Sequence, residues 1–379
     1  MRVLILGAGF GGLELATLLS DSGEQFEVTL VDQSDAFVFG YSKLDLLFGR
    51  TTPDAVRLPY ADVSKPGVQF LQERVLEIDP DARTVRTDGG SHEADVLVVT
   101  LGADYDVAAT PGLAEVDEFY SVAGAELLAA KLPSFGGGRV VVGICDAPYK
   151  CPPAPSEASL LLHDYLEMRG VRGDSEIAFV SPLPIPIPPS PETSQALLSA
   201  FSERGIEWIG GTRIASIDGG SVAVLDDGRE LPFDLFLGVP KHRAPDVAIA
   251  SGLTENGYIP VSSQTLQTSH AGVYAIGDVT TAGVPKAGVF AEGAARVVGK
   301  ILIAVAGAGE HPPPYDGRGS CYIEFGHGEV ARVDIDFLSG PEKTGVYQAP
   351  SAELVAEKKQ FGASRRARWF GHAPVDAVA

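Results

Sequence analysis

Three residues of this chain carry sulfur chemistry: Cys145, Cys151 and Cys321. Three cysteines are too few for a secreted disulfide framework, so a bridge between any two would serve chemistry rather than stability. Cys145 and Cys151 lie in one short segment with Pro148, Pro152, Pro153 and Pro155. A second chemistry is written in the first residues, Gly7-Ala8-Gly9-Phe10-Gly11-Gly12. In that spacing Gly7 permits a tight turn, Gly9 lets backbone approach a diphosphate, and Gly12 permits close packing of helix on strand. Asp32, about 20 residues on, stands where an acid takes ribose hydroxyls.

The elements that hold these residues are legible from their patterns. Val3–Leu6 reads as a strand, followed by a helix to about Leu19, whose N-terminus would supply donors and a positive dipole end to phosphates. Glu27–Val31 is a second strand ending in Asp32. Gly138–Ile144 is an apolar run after a glycine cluster, the mark of a buried parallel strand. A dinucleotide unit would continue with another glycine loop. Here four prolines remove four donors and fix φ, so no phosphate cradle can form. Ile177–Val180 ends in Ser181-Pro182, without an acid in the place of Asp32. The second slot is thus built for thiols instead of a nucleotide.

Repetition supports two similar halves. The same 21-residue interval separates Arg74 from Asp95 and Arg213 from Asp234, and each stretch passes through an Asp-Gly turn to Leu101-Gly102 or Leu237-Gly238. Each reads as a β-meander followed by a strand returning to the parallel sheet. Gly272–Asp278 is a short strand ending in Gly277-Asp278, with a helix from about Gly288 to Ala304. The proline-dense Pro182–Pro191 reads as a rigid connector or, alternatively, a ligand for a partner. Cys321–Phe337 alternates around His327-Gly328 as a hairpin. Ser351–Gly362 reads as a polar helix, and Arg365–Phe370 is a basic, aromatic tail suited either to an anionic membrane surface or to packing. The fold class is therefore α/β: two Rossmann-like units with appended β-meanders and a small C-terminal α+β region. The expected divisions are 1–105 and 243–310 for the nucleotide-binding unit, 106–242 for the second unit, and 311–379 for the C-terminal region.

Composition narrows the setting. At 379 residues the chain has volume for two or more domains, and its net charge of −21 leaves no basic stripe for nucleic acid. No leader pattern precedes the first strand and no apolar run reaches the ~20 residues of a membrane span. The expectation is a cytoplasmic protein, peripheral at most on the inner face of a membrane. None of the seven histidines has a metal-like spacing in the sequence, so no metal is assigned.

The glycine loop with Asp32, Thr100-Leu101-Gly102-Ala103 and Ala275-Ile276-Gly277-Asp278 together resemble the FAD-binding signatures of two-dinucleotide-domain flavoproteins. Cys151-Pro152-Pro153-Ala154-Pro155-Ser156-Glu157 and Gly319-Ser320-Cys321-Tyr322 resemble the cysteine motifs of flavocytochrome c sulfide dehydrogenases and sulfide:quinone oxidoreductases. Val284–Phe290 resembles the segment whose lysine lies by the flavin. The resemblance implies FAD contacts at Gly7, Gly9, Gly12, Asp32, Gly102, Gly277, Asp278 and Lys286. It also implies a redox-active disulfide between Cys151 and Cys321, Glu157 as a base, and Lys286 stabilising anionic reduced flavin. Hydrosulfide would open the disulfide, leaving a persulfide on one cysteine and a thiolate on the other. Glu157 equally suits the first turn of a helix, where acids are favoured. Cys145, whose motif match is poor, reads as a packed thiol or an alternative partner for Cys151.

The early chain has no cysteine to link FAD, so the cofactor would be noncovalent. The implied partners are sulfide or another small sulfur species and a quinone or other electron acceptor, with a homodimer among the assemblies the sequence allows. Two other functions fit the same fold: a type II NADH dehydrogenase-like enzyme, and a redox-sensing or electron-transfer flavoprotein without small-substrate turnover.

Overall fold

The computed structural model describes residues 1–23, 26–307 and 309–371. Its first sheet has five parallel strands in the order Val273–Ala275, Val96–Val99, Arg2–Leu6, Glu27–Asp32, Val68–Gln72. The central runs Leu4-Ile5-Leu6 and Val96–Val99 are buried along their length, because parallel strands are covered on both faces. The helices Phe10–Asp21 and Gly288–Val305 cross on one face. They meet closely at Gly299, where a Cβ would come within 2.5 Å of Leu18.

The second sheet runs Ile206–Gly210, Ser175–Ser181, Gly138–Ile144, Leu235–Val239, again all parallel. The two anticipated meanders are present as Val75–Asp79, Thr84–Thr87, Ser91–Glu93 and as Ile214–Asp218, Val222–Leu225, Glu230–Pro232. The repeat extends to detail. Each meander shifts register just after its first residue, at Val75/Glu77 and at Ile214/Ser216. In each, the N–H of the preceding arginine donates to an aspartate at the turn, Arg74 to Asp88 and Arg213 to Asp226. An antiparallel ribbon, Asp104–Asp106 with Lys241–Arg243, ties the two units.

The C-terminal region holds the expected hairpin, Arg318–Gly326 with Glu329–Asp336, turning at His327-Gly328. A third strand, Thr344–Gln348, was not legible in the sequence. The helix expected to end at Gly362 instead runs Ala352–Phe370 and closes at Gly371 with φ +70°. Gly362 is not a terminator. It is the point where the helix approaches Tyr41 so closely that a Cβ would collide with the phenolic oxygen.

The basic aromatic tail is consequently helical and spent inside the protein. Trp369 is fully buried beside Phe10, Phe37 and Phe39. Its Nε1 donates to Glu14 at 2.9 Å, Arg368 donates to the same carboxylate at 2.8 Å, and Arg365 reaches Glu292 at 2.8 Å. Residues 365–370 thus pack on the first unit. Among the described residues no helix is long and apolar enough to cross a membrane. The remainder of the expected C-terminal region, 372–379, lies outside the described residues.

Candidate functional site

A cavity of about 600 Å³ runs from the glycine loop to the proline-flanked thiol. At its far end the loop is built as its glycines require. Gly7 has φ +102°, and a Cβ there would strike the carbonyl of Thr100. A Cβ on Gly12 would collide with the carbonyl of Gly7, so strand and helix touch through backbone alone. Gly9 lines the cavity and a Cβ there would meet no protein atom within 4 Å. A 12-residue helix therefore begins at the cavity wall beside a position with no side chain, an arrangement with room for an anion at the helix N-terminus. Asp32 is aimed by its own hydrogen bonds: Oδ2 accepts from Ala8 N–H and Oδ1 from Ser34 N–H, each at 2.8 Å. Both oxygens keep lone pairs for hydroxyl donors. Gly102 and Gly277, at φ +73° and +76°, turn the chain along the same wall.

The other end is charged and buried. Burial raises the Asp278 carboxyl, while Lys150, Lys286 and Lys43 oppose that rise. Lys286 Nζ donates to the carbonyls of Asp278 at 2.6 Å and Thr280 at 3.3 Å, and sits 3.4 Å from the centre of the Tyr258 ring. Desolvation brings this ammonium down to about 8, and Lys43 likewise to about 8. Lys150 donates to Ala103 carbonyl at 2.7 Å over the Tyr105 ring. All three lysines line the cavity. The sequence pointed only to Lys286. Lys150 adjoins Cys151 and could have been weighed, whereas Lys43 arrives by folding from a helix more than 100 residues away.

Cys151 lines the cavity at the start of the helix Ala154–Met168. It sits at φ +49°, a conformation that costs energy for a side-chain-bearing residue and clusters at functional sites. Its N–H donates to the Lys286 carbonyl, which fixes the loop. Glu157, one turn into that helix, is 3% exposed and lines the same cavity. Burial pushes its carboxyl up to about 7, near the value at which an acid both gives and takes protons at neutral pH. Its Oε1 accepts from the N–H of Glu324 at 3.0 Å. Glu324 itself, despite burial, is held down to about 2 by Lys358 and Arg50, so it stays ionised.

That hydrogen bond ties the Cys151 helix to the strand of Cys321. Cys321 lies three residues before Glu324 and does not line the cavity. The two thiols feel each other and Glu157 electrostatically: burial first, then Glu157 and Cys321, raise Cys151, while burial and Glu157 push Cys321 up to about 12. The bridge expected between them is not formed; all three cysteines are free thiols in this structure. Cys145 does not line the cavity. It is 1% exposed, packs with Ile214, Ala223 and Phe236 beneath the second meander, and its carbonyl accepts from Arg213.

Two parallel-sheet units, one with an intact diphosphate cradle and one with a thiol in the matching turn, face a shared cavity. That combination defines a dinucleotide-dependent oxidoreductase. Residues 1–298 match the pyridine nucleotide-disulphide oxidoreductase family model, and the chain belongs to that family. Its cofactor is FAD. The open space at Gly9, the aimed carboxylate of Asp32 and the cavity of about 600 Å³ fit that group. The chain is 26% identical over 362 residues to the mitochondrial sulfide:quinone oxidoreductase of Mus musculus, covering 90% of this chain and 80% of that protein. It is 25% identical over 352 residues to a sulfide-quinone reductase of Aquifex aeolicus, covering 86% and 81%. The solved sulfide:quinone oxidoreductase of Aquifex aeolicus has the same fold, with a TM-score of 0.85 at 22% identity over 97% of this chain and 91% of that one.

Proposed function

We propose that this protein oxidises sulfide, or a related small sulfur species, through Cys151 and Cys321 and passes the electrons by way of FAD to a quinone. The observation that carries this reading is the shared cavity. One volume is lined by Gly7 and Gly9, by Cys151, by Glu157 and by three desolvated lysines, while the turn after the second unit's first strand carries prolines and cysteines in place of a glycine loop. The full-length similarity to sulfide:quinone oxidoreductases supports it.

In this reading Gly7 and Gly9 would leave room for the diphosphate, Gly12 would let the helix close on the strand that presents it, and Asp32 would take the ribose hydroxyls. Gly102, Gly277 and Asp278 line the middle of the cofactor, and Lys286 carries positive charge towards its reducible end. Bound FAD supplies the two-electron acceptor. The residues of the chain do the sulfur chemistry. In this reading the resting enzyme holds Cys151 and Cys321 as a disulfide. Lys43, Lys150 and Lys286 attract the hydrosulfide anion into the cavity. Its sulfur attacks the bridge, forming one S–S bond and breaking another, so that one cysteine carries a persulfide and the other leaves as a thiolate. Glu157 takes the proton of the incoming sulfide or of the resulting thiol. Because burial keeps both thiols protonated at neutral pH, this neighbouring base is what frees the thiolate to give up electrons. A second nucleophile takes the sulfane sulfur and leaves two thiolates, and the bridge re-forms as their two electrons leave for the acceptor that bound FAD would supply.

The same proposal divides the chain at 1–105 with 243–310, 106–242 and 311–379. It places the protein on the cytoplasmic face of a membrane, where a lipid-soluble quinone is met. The experiment that tests the function is anaerobic stopped-flow on the FAD-loaded protein, mixed separately with sulfide and with NADH. Rapid flavin bleaching by sulfide and none by NADH is expected. Rapid reduction by NADH with none by sulfide would replace this reading by a type II NADH dehydrogenase. Reduction without turnover on sulfide and a short-chain quinone would leave an electron-transfer or sensing flavoprotein.

A further inference from the structure

Two turns beyond Glu157, the same helix brings His163, Asp164 and Glu167 against His327 at the tip of the C-terminal hairpin. One ligand atom from each of the four lies within 4.8 Å of all the others. Spacing along the chain hid this group, since His327 is more than 150 residues from the rest. The separations have a pattern. His163 Nδ1 is 3.5 Å from Asp164 Oδ1 and 3.7 Å from Glu167 Oε2, and His327 Nε2 is 3.1 Å from each of those oxygens. A tetrahedral ion with nitrogen and oxygen ligands at ~2.0–2.1 Å holds them roughly 3.3–3.4 Å apart. The four measured edges straddle that length.

A second observation is independent of the clustering. His163 is only 6% exposed, and its Nδ1 makes no hydrogen bond; Asp164 Oδ1 beside it also makes none, its nearest cation being His327 Nε2 at 3.1 Å. A buried imidazole nitrogen left without a hydrogen bond is costly unless something completes its shell. The backbone is also committed to the arrangement. His327 stands at φ +51° and donates its N–H to Asp164, and Gly326, at φ +83°, has no room for a Cβ against that same carboxylate. Arg172, the cation facing His163, is occupied with the carbonyls of Ser175 and Gly205.

We propose that His163, Asp164, Glu167 and His327 form a structural site for a divalent transition ion of the zinc type. Two imidazoles and two carboxylates suit that class, whereas calcium and magnesium take larger all-oxygen shells. Four protein ligands fill a tetrahedral shell, so the site holds structure and performs no reaction. The two carboxylates balance the charge of the ion, and the half-exposed His327 and Glu167 give it an entry path. The ion pins the helix that starts beside Cys151 to the hairpin that carries Cys321. It thereby fixes the two elements whose thiols must meet.

The test is zinc binding to the FAD-loaded full chain, stripped of metal and titrated with zinc or with cobalt as a spectroscopic probe. The expected result is one equivalent per chain, the visible absorption of tetrahedral cobalt, and a rise in Tm on adding zinc. His327→Ala, a change at a half-exposed turn, should weaken binding more than about tenfold and abolish the Tm rise. A Cys151→Ser, Cys321→Ser double variant should bind zinc as the wild type does. If binding is lost in the cysteine variant and kept in His327→Ala, the metal belongs to the thiols and the proposal fails. It fails equally if neither protein binds zinc stoichiometrically.

Discussion

The backbone N–H of Cys151 donates to the carbonyl of Lys286 at 2.7 Å, so the thiol loop and the lysine segment move as one piece. Neighbouring Lys150 pairs with Lys286 as an isolated parallel bridge. A charge carried by the Lys286 side chain is therefore placed with fixed geometry relative to the Cys151 sulfur. Desolvation brings that ammonium to about 8, so its charge is present at neutral pH and is lost as pH rises through about 8. Lys286→Met should keep the fold yet slow sulfide-driven flavin reduction by about a hundredfold, the scale of losing one preorganised electrostatic contact. The wild-type rate should also fall above pH 8 with a limb that the variant lacks, read by stopped-flow across pH.

Glu157 gives a sharper pH signature. Its carboxyl is raised by burial to about 7 from an ordinary 4.5. For a group raised on folding, the stabilisation it contributes is complete below about 4.5 and is lost as pH rises through about 7. Thermal unfolding of the wild type should thus show stability declining across that window, and Glu157→Gln should flatten the slope. As a base the residue works ionised, so the wild-type rate rises through pH 7. The Gln variant should lose this limb and ~10²-fold or more in rate. Ionisation of sulfide is common to both proteins, so the difference between their profiles isolates the carboxyl.

The three cysteines should separate cleanly. Cys151→Ser and Cys321→Ser should each abolish flavin reduction by sulfide while the protein still carries FAD, since neither touches the glycine loop. Cys145→Ala should retain reduction within a few-fold, because Cys145 lies under the second meander, outside the cavity. Full activity in either Ser variant would remove the thiol relay from the mechanism.

Two glycines of one loop should fail in different ways. Gly9→Ala adds a methyl group that meets no protein atom within 4 Å and projects at the cavity, so the chain should fold but retain FAD poorly. Gly12→Ala would drive a methyl into the Gly7 carbonyl, so strand and helix must part and stability falls as well. Flavin content after gel filtration, set against Tm, distinguishes the two.

What the sequence revealed of this molecule was whatever is local or repeated. The glycine loop, the paired meanders and the His327-Gly328 hairpin are each short-range patterns, and each stands where its pattern put it. Cys151, Glu157 and Lys286 were legible because two short motifs carry them. Lys43 was not, since nothing near it in the chain marks a lysine destined for a buried wall. His163 and Glu167 are four apart on one helix, but their partner His327 is brought in only by the packing of the hairpin. The tail was ambiguous for a related reason. Arg365–Phe370 is amphipathic, and such a stretch suits a lipid surface and a protein surface equally until the buried acids Glu14 and Glu292 are seen opposite it.

That packing carries the last prediction. Trp369 is fully buried, its ring meets Phe10 edge-on at 5.4 Å, and Phe10 is the first residue of the glycine-loop helix. Trp369→Ala removes a large ring from a close-packed cluster and also takes one donor from Glu14, a carboxylate only 1% exposed. The cavity alone should cost about 3–5 kcal/mol, measured as a lowered denaturant midpoint. Because Phe10 flanks the diphosphate cradle, the loss should reach the cofactor: FAD should dissociate at lower denaturant than is needed to unfold the second sheet. Trp369→Phe keeps the ring and loses only the hydrogen bond, so it should recover most of the stability. Equal damage from both substitutions would mean that the Glu14 hydrogen bond, not the ring packing, anchors the C-terminal helix.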